Sequence, residues 1–185
     1  MKQRAATVFK FTVYSLLLLN VWLLSRITGG NSVPYKALDQ IGWLLILGVF
    51  EWETRAPAGN SEGRRLLGWP LGFELLGYGF ALFALVNYWH DRIWLDVGNA
   101  IAWLAISAMI WLDILRPLDA GMAAHRWRGG IKLMLYAATF ACAVLWGIAG
   151  AALDFYDAML WILCFFVIEL NLIRLEKPAR RIFVR

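Results

Sequence analysis

The chain has 185 residues, 61% of them hydrophobic and 17% charged, and its mean hydropathy is +0.61. Ordinary soluble domains are roughly half apolar, so this composition excludes a soluble fold and points to a membrane protein. The net charge of +5 and the pI near 9.5 would suit nucleic acid only if the cations formed one patch; they are instead spread over short segments between apolar stretches, so nucleic acid is not an expected partner.

Six apolar stretches follow one another, at about 5–25, 39–55, 66–89, 96–115, 130–150 and 156–173, each close to the ~20 residues that cross a ~30 Å hydrocarbon core as a helix. The first resembles a signal peptide, with a basic start and a leucine-rich centre. No A-x-A-like cleavage site follows it, and it is needed as the first half of a hairpin, so it is expected to be retained. The second stretch ends at a linker of turn formers, Ala56-Pro57-Ala58-Gly59-Asn60-Ser61-Glu62-Gly63. The fourth is followed by a polar segment holding His125, Arg126, Trp127, Arg128, Gly129 and Gly130, read as a second linker. Pro57, Pro117 and Pro178 each stand where a helix should stop.

These stretches pair into three units, about 5–57, 66–117 and 130–178, because one pattern recurs roughly every 60 residues. An Asp or Asn is followed by a Trp four residues later, then an acid, then an Arg. The copies are Asp39, Trp43, Glu51 with Glu53, Arg55; Asn99, Trp103, Asp113, Arg116; and Asp157, Trp161, Glu169, Arg174. The expected fold is therefore an all-α integral membrane domain over residues 1–185, with six transmembrane helices arranged as three tandem helical hairpins and a pseudo-threefold internal repeat. Fifteen of the 18 cations fall on one side of this layout, against Arg26, Lys36 and Arg92 on the other. By the positive-inside rule both termini are expected to be cytoplasmic, in a multi-pass protein of the bacterial inner (plasma) membrane.

Asp39, Asn99 and Asp157 are placed to be N-caps of the second helices. Trp43, Trp103 and Trp161 then fall at the depth of an interfacial aromatic belt, with Trp22, Trp89, Trp94 and Trp146 at the same face and Trp52, Trp69, Trp111 and Trp127 at the other. Small residues four apart, Gly68 with Gly72, Ala137 with Ala141 and Gly147 with Ala151, are read as close helix seams.

The candidate functional residues are four membrane acids, Glu51, Asp113, Glu169 and Glu74. Glu51 and Glu169 stand 12 residues beyond Asp39 and Asp157, or ~18 Å at 1.5 Å per residue, which keeps them inside the bilayer. Ionisable groups there usually face a partner, the bundle interior or water. One reading is a set of carboxylates lining a cation, proton or polar-solute path; the other is local neutralisation, Glu51 by Arg55 and Asp113 by Arg116, with Glu169 lacking such a neighbour and Glu74 pairing across helices.

Catalytic motifs are absent: there is no H-E-x-x-H, nucleophile elbow, phosphate-binding glycine loop or cysteine cluster. Two histidines, His90 and His125, stand near opposite faces, so no bis-histidine haem site is expected. No cofactor or metal is expected, and Cys142 and Cys164 are read as packing residues. With its three short hairpins, cytoplasmic termini and openings such as Gly68-Trp69-Pro70-Leu71-Gly72 and Trp127-Arg128-Gly129-Gly130, the chain resembles the acid-resistance HdeD family of small inner-membrane proteins. The lack of soluble domains and catalytic motifs fits a non-enzymatic membrane component, acting as a stress protein or an accessory subunit of a larger complex. The repeated acids favour the alternative of a small channel or transporter. The expected partner is the lipid bilayer, with a homo-oligomer or a larger membrane complex left open.

Overall fold

The structure is a computed structural model that describes residues 2–27, 34–55, 68–116, 118 and 121–179; for 2–7, 10, 25, 27, 34, 53–55, 114 and 166–179 it describes the backbone alone. Among the described residues the chain forms six α-helices and no strand. They are α1 (Lys2–Ile27), α2 (Pro34–Arg55), α3 (Trp69–His90), α4 (Trp94–Leu115), α5 (Ala123–Ile148) and α6 (Ala152–Ala179). Three segments, Trp69–His90, Trp94–Asp113 and Ala123–Ile148, are long and apolar enough to cross a membrane, and Phe11–Leu24 is a shorter apolar stretch. Six such segments were expected. Helix α2 falls short because Lys36, Asp39, Glu51, Glu53 and Arg55 charge both its ends.

Two compact units make up the chain, one from Met1–Asn20 with Ala102–Arg185, the other Val21–Ile101. In the second, α2 and α3 approach until their backbones touch. A Cβ on Gly42 would stand 2.6 Å from the Gly77 carbonyl oxygen, and one on Gly77 would stand 2.7 Å from that of Gly42 and 2.8 Å from Ile46 Cγ1. Glycine at both places is thus a requirement of the contact.

The seam expected at Gly68 and Gly72 is not there, since Gly72 faces open space. The reason is the phase of the helix. Buried residues of α3 are Pro70, Glu74, Gly77, Ala81, Ala84 and Tyr88, alternating four and three apart, and Gly72 falls off this stripe. The same spacing selects Thr139, Ala143 and Trp146 in α5, so Ala137 and Ala141 are exposed rather than at a seam. Gly147 is also exposed, but a Cβ there would come within 3.3 Å of the Phe155 ring.

Helices α3 and α4 are joined by Asp91, Arg92 and Ile93, and α5 and α6 by Ala149, Gly150 and Ala151, with one geometry. The amide of Ile93 donates to Tyr88 O and that of Arg92 to Trp89 O; likewise Ala151 donates to Trp146 O and Gly150 to Gly147 O. This is the Schellman ending, which needs a left-handed residue. Arg92 takes it with φ 59° and Gly150 with φ 76°.

At the far end of α5, His125 to Gly130 are helical, not a linker. Two glycines in a helix cost roughly 0.5–1 kcal/mol each relative to alanine, and Arg128 and Lys132 offset this by tying the turn to α4. Helix α6 ends one residue after Pro178, while Pro57 and Pro117, with the linker at 56–63, lie outside the described residues.

Replacing Gly42 or Gly77 with Ala should cost about 1–3 kcal/mol and lower the melting temperature in detergent, whereas Gly72→Ala and Ala141→Leu should leave it nearly unchanged. At the turns, Gly150→Ala should destabilise by ~1–2 kcal/mol while Arg92→Gly is tolerated or stabilising, measured by the same melts.

Candidate functional site

In the three places where the repeated pattern occurs, the helix begins five residues before the Asp or Asn: α2 at Pro34 for Asp39, α4 at Trp94 for Asn99 and α6 at Ala152 for Asp157. None of the three is an N-cap. Each lies beyond the first turn, where backbone amides already have intrahelical partners, so its side chain is left for other helices. The tryptophans one turn on are likewise not an interfacial belt: Trp43, Trp103 and Trp161 are 5%, 4% and 4% exposed. Trp146, also expected in the belt, is buried, while Trp22, Trp52, Trp69, Trp89, Trp94 and Trp127 are exposed.

In the unit Val21–Ile101, the start of α2 meets the end of α3 in a polar cluster. Tyr88 donates its hydroxyl to Asp39 Oδ2 at 3.1 Å, and the Trp43 side chain supplies a second bond to Asp39. Lys36 Nζ stands 3.2 Å from Asp96 Oδ1, and Asp96 is buried. Asp96 is thus an interhelical partner. Tyr35 packs edge-on against Tyr88 at 5.2 Å, with Ala84, Val97 and Ala100 around it, and gives its hydroxyl to Asp91 Oδ2 at 2.5 Å. The buried oxygens Asp39 Oδ1 and Asn99 Oδ1 accept no hydrogen bond.

Burial, the bond to Asp91 and the nearby charges of Asp91 and Asp96 push the Tyr35 hydroxyl up to about 12. The Tyr35 bond, and then His90 Nδ1 at 3.0 Å, hold the Asp91 carboxyl below its usual range.

In the other unit, Asn20 Nδ2 donates to Asp157 Oδ1 at 2.6 Å, joining α1 to α6. Trp103 and Trp161 both lean on the wholly buried Phe165, at 4.8 and 6.2 Å between centroids, and Trp103 meets Tyr136 at 6.3 Å. Asp113 is drawn to α5. It pairs with Arg128 at 3.2 Å and Lys132 at 3.0 Å, both on α5, in place of the expected Arg116. Arg128 Nη1 also donates to the carbonyls of Leu112 (3.3 Å) and Arg116 (2.7 Å), covering the end of α4, where a cation complements the helix dipole.

Two other candidate acids lie on α2 and α3. Glu51 is half-buried beside the Trp52–Trp69 contact (4.9 Å), and Glu74 is buried further along the same α2–α3 seam. The side chains of Glu53, Arg55, Glu169 and Arg174 lie outside the described residues. Among the described residues no three of His, Cys, Asp and Glu gather as metal ligands. Asn20, Tyr35, Lys36, Tyr88 and Arg128 carry the polar contacts yet were not singled out as site residues. Asn20 had a visible signal, as the lone amide in the run Leu16-Leu17-Leu18-Leu19-Asn20-Val21-Trp22-Leu23-Leu24.

Comparison of the chain with protein-family models, curated proteins and solved structures finds no significant match.

The Tyr35 and Asp91 shifts set the sign of a pH dependence. A hydroxyl raised from 10.0 to about 12 adds stability that is complete below pH 10 and lost as pH climbs toward 12. A lowered carboxyl adds stability present above pH 3.8 and lost as pH falls through its folded value. Tyr35→Phe should therefore flatten both limbs of the stability profile, measured by chemical denaturation from acid to alkaline pH.

Proposed function

We propose that the chain is a multi-pass protein of the bacterial inner membrane, with six spans as three tandem hairpins and both termini cytoplasmic, and that it acts as a non-enzymatic, stress-related or accessory component of a larger membrane complex. The observation that carries this reading is the use made of the polar side chains. Asp39 with Tyr88, Asp96 with Lys36, Asp157 with Asn20, and Asp113 with Arg128 and Lys132 all join one helix to another. In lipid such bonds select helix neighbours where hydrophobicity does not. Six short helices with exposed tryptophans toward their ends support the membrane reading, and the matched positions of Asp39, Asn99 and Asp157 support the repeat.

A second reading, a small proton, cation or polar-solute pathway, is favoured by the buried acceptors Asp39 Oδ1 and Asn99 Oδ1, which a passing proton or cation would satisfy.

Reporter fusions at Ala58, Ala120 and the C-terminus should read cytoplasm, and those at Asn31, Asp91 and Ala152 periplasm; a periplasmic C-terminus would end the six-span reading. Purification in mild detergent should retain a stoichiometric partner protein. Isolation as a homo-oligomer with proton or cation flux in liposomes would decide for the pathway instead.

A further inference from the structure

Where α4 gives way to α5, helix phase sorts the cations into two sets. The buried residues of α5 are Thr139, Ala143 and Trp146, and Lys132 and Arg128 stand seven and eleven residues before Thr139, on the same stripe. Both face α4, where they hold Asp113 at 3.0 and 3.2 Å. Arg126 and Trp127 fall off that stripe and are exposed, Trp127 to 73%. Four and seven residues beyond Trp127 come Ile131 and Met134, also exposed, so the three form one outward stripe. Arg116 is exposed just past the last residue of α4, and its carbonyl accepts from Arg128 at 2.7 Å. Among the described residues no carboxylate pairs with the guanidinium of Arg116 or Arg126.

The level of these groups follows from helix length. Residues 131–148 of α5 run ~27 Å and Trp94–Asp113 of α4 ~30 Å at 1.5 Å per residue, each about one hydrocarbon core. With those stretches in the core, Asp113, Arg116 and residues 123–130 emerge together in the headgroup layer, where indole rings and cations settle. Residues 113–132 carry Arg116, Arg126, Arg128 and Lys132 against Asp113 and Asp119, a net charge of +2.

We infer that this end of α4 and α5 is a binding surface for anionic phospholipid headgroups, with the guanidiniums of Arg116 and Arg126 on the phosphate and Trp127 beside the upper acyl chains. A guanidinium presents a planar fork of donors that matches phosphate oxygens, and cations next to a span are drawn to anionic lipid. Asp113 occupies Arg128 and Lys132 from within, which leaves Arg116 and Arg126 for a ligand outside. A lipid is favoured over an acidic protein because the stripe Trp127, Ile131, Met134 leads from these cations directly into the apolar span, so the surface suits an amphipathic occupant. The inference rests on the membrane-spanning reading and holds for an accessory component and a pathway alike.

Thermal melts of the full chain in uncharged detergent micelles, with phosphatidylglycerol or phosphatidylcholine added, test it. Phosphatidylglycerol should raise the melting temperature more than phosphatidylcholine does, and this difference should fall by half or more in the double variant Arg116→Gln, Arg126→Gln. Since neither guanidinium holds Asp113, the double variant should melt close to wild type without lipid. Arg126→Gln alone, at an exposed position, should lose part of the difference and keeps the test open if the double variant fails to fold. Equal shifts from the two lipids, or a double variant that keeps the whole difference, would overturn the proposal and leave the membrane reading standing. A matching shift from inorganic phosphate or polyglutamate would also overturn it, the second in favour of an acidic protein partner. A chain that alkaline carbonate strips from vesicles would end the membrane reading and this inference together.

Discussion

The packing of α2 on α3 depends on one contact, the meeting of two backbones at Gly42 and Gly77. Backbones this close gain dispersion at short range and permit polar bonds that longer separations would not. Gly42 and Gly77 bring α2 and α3 close, and the closeness lets Tyr88 of α3 reach Asp39 of α2. Tyr35 and Trp52 of α2 meet Tyr88 and Trp69 of α3 on either side of the same contact. A side chain at either glycine would act on all of these at once.

Polar groups in this protein work as connectors, and their cost is what makes them selective. A carboxylate left alone on an apolar helix is unfavourable enough that only arrangements supplying a partner persist. Asp113 shows the point: it gathers Arg128 and Lys132, and Arg128 in turn satisfies the carbonyls that α4 leaves open at its end. Charge neutralisation and helix termination are thus handled by one residue.

The all-helical class and the approximate helix positions could be read from hydrophobic runs, because length and composition alone distinguish a long apolar helix from a strand. The recurrence of Asp39, Asn99 and Asp157 was also legible, and each does stand at the same place in its helix. Their role was not. Reading them as N-caps assumed that helices start where hydrophobicity rises, whereas α2, α4 and α6 begin five residues earlier, through Pro34, Trp94 and Ala152. That shift of more than one turn moved Trp43, Trp103 and Trp161 from an expected belt into the interior. Helix phase was equally hidden. Gly72 and Gly77 look alike in a sequence, and only the four-and-three stripe through Pro70, Glu74 and Tyr88 decides which of them meets a neighbour. Nor does local spacing show that Asp113 prefers Arg128 to Arg116, since the choice depends on where α5 starts.

The sequence separations of the two clamps in the unit formed by Met1–Asn20 and Ala102–Arg185 imply an order of assembly. Asp113 and Arg128 are 15 residues apart, Asn20 and Asp157 137. Closing the short loop loses little chain entropy, so α4 and α5 can lock as soon as both exist. The amide of Asn20 must wait for nearly the whole chain to be made before its carboxyl partner arrives.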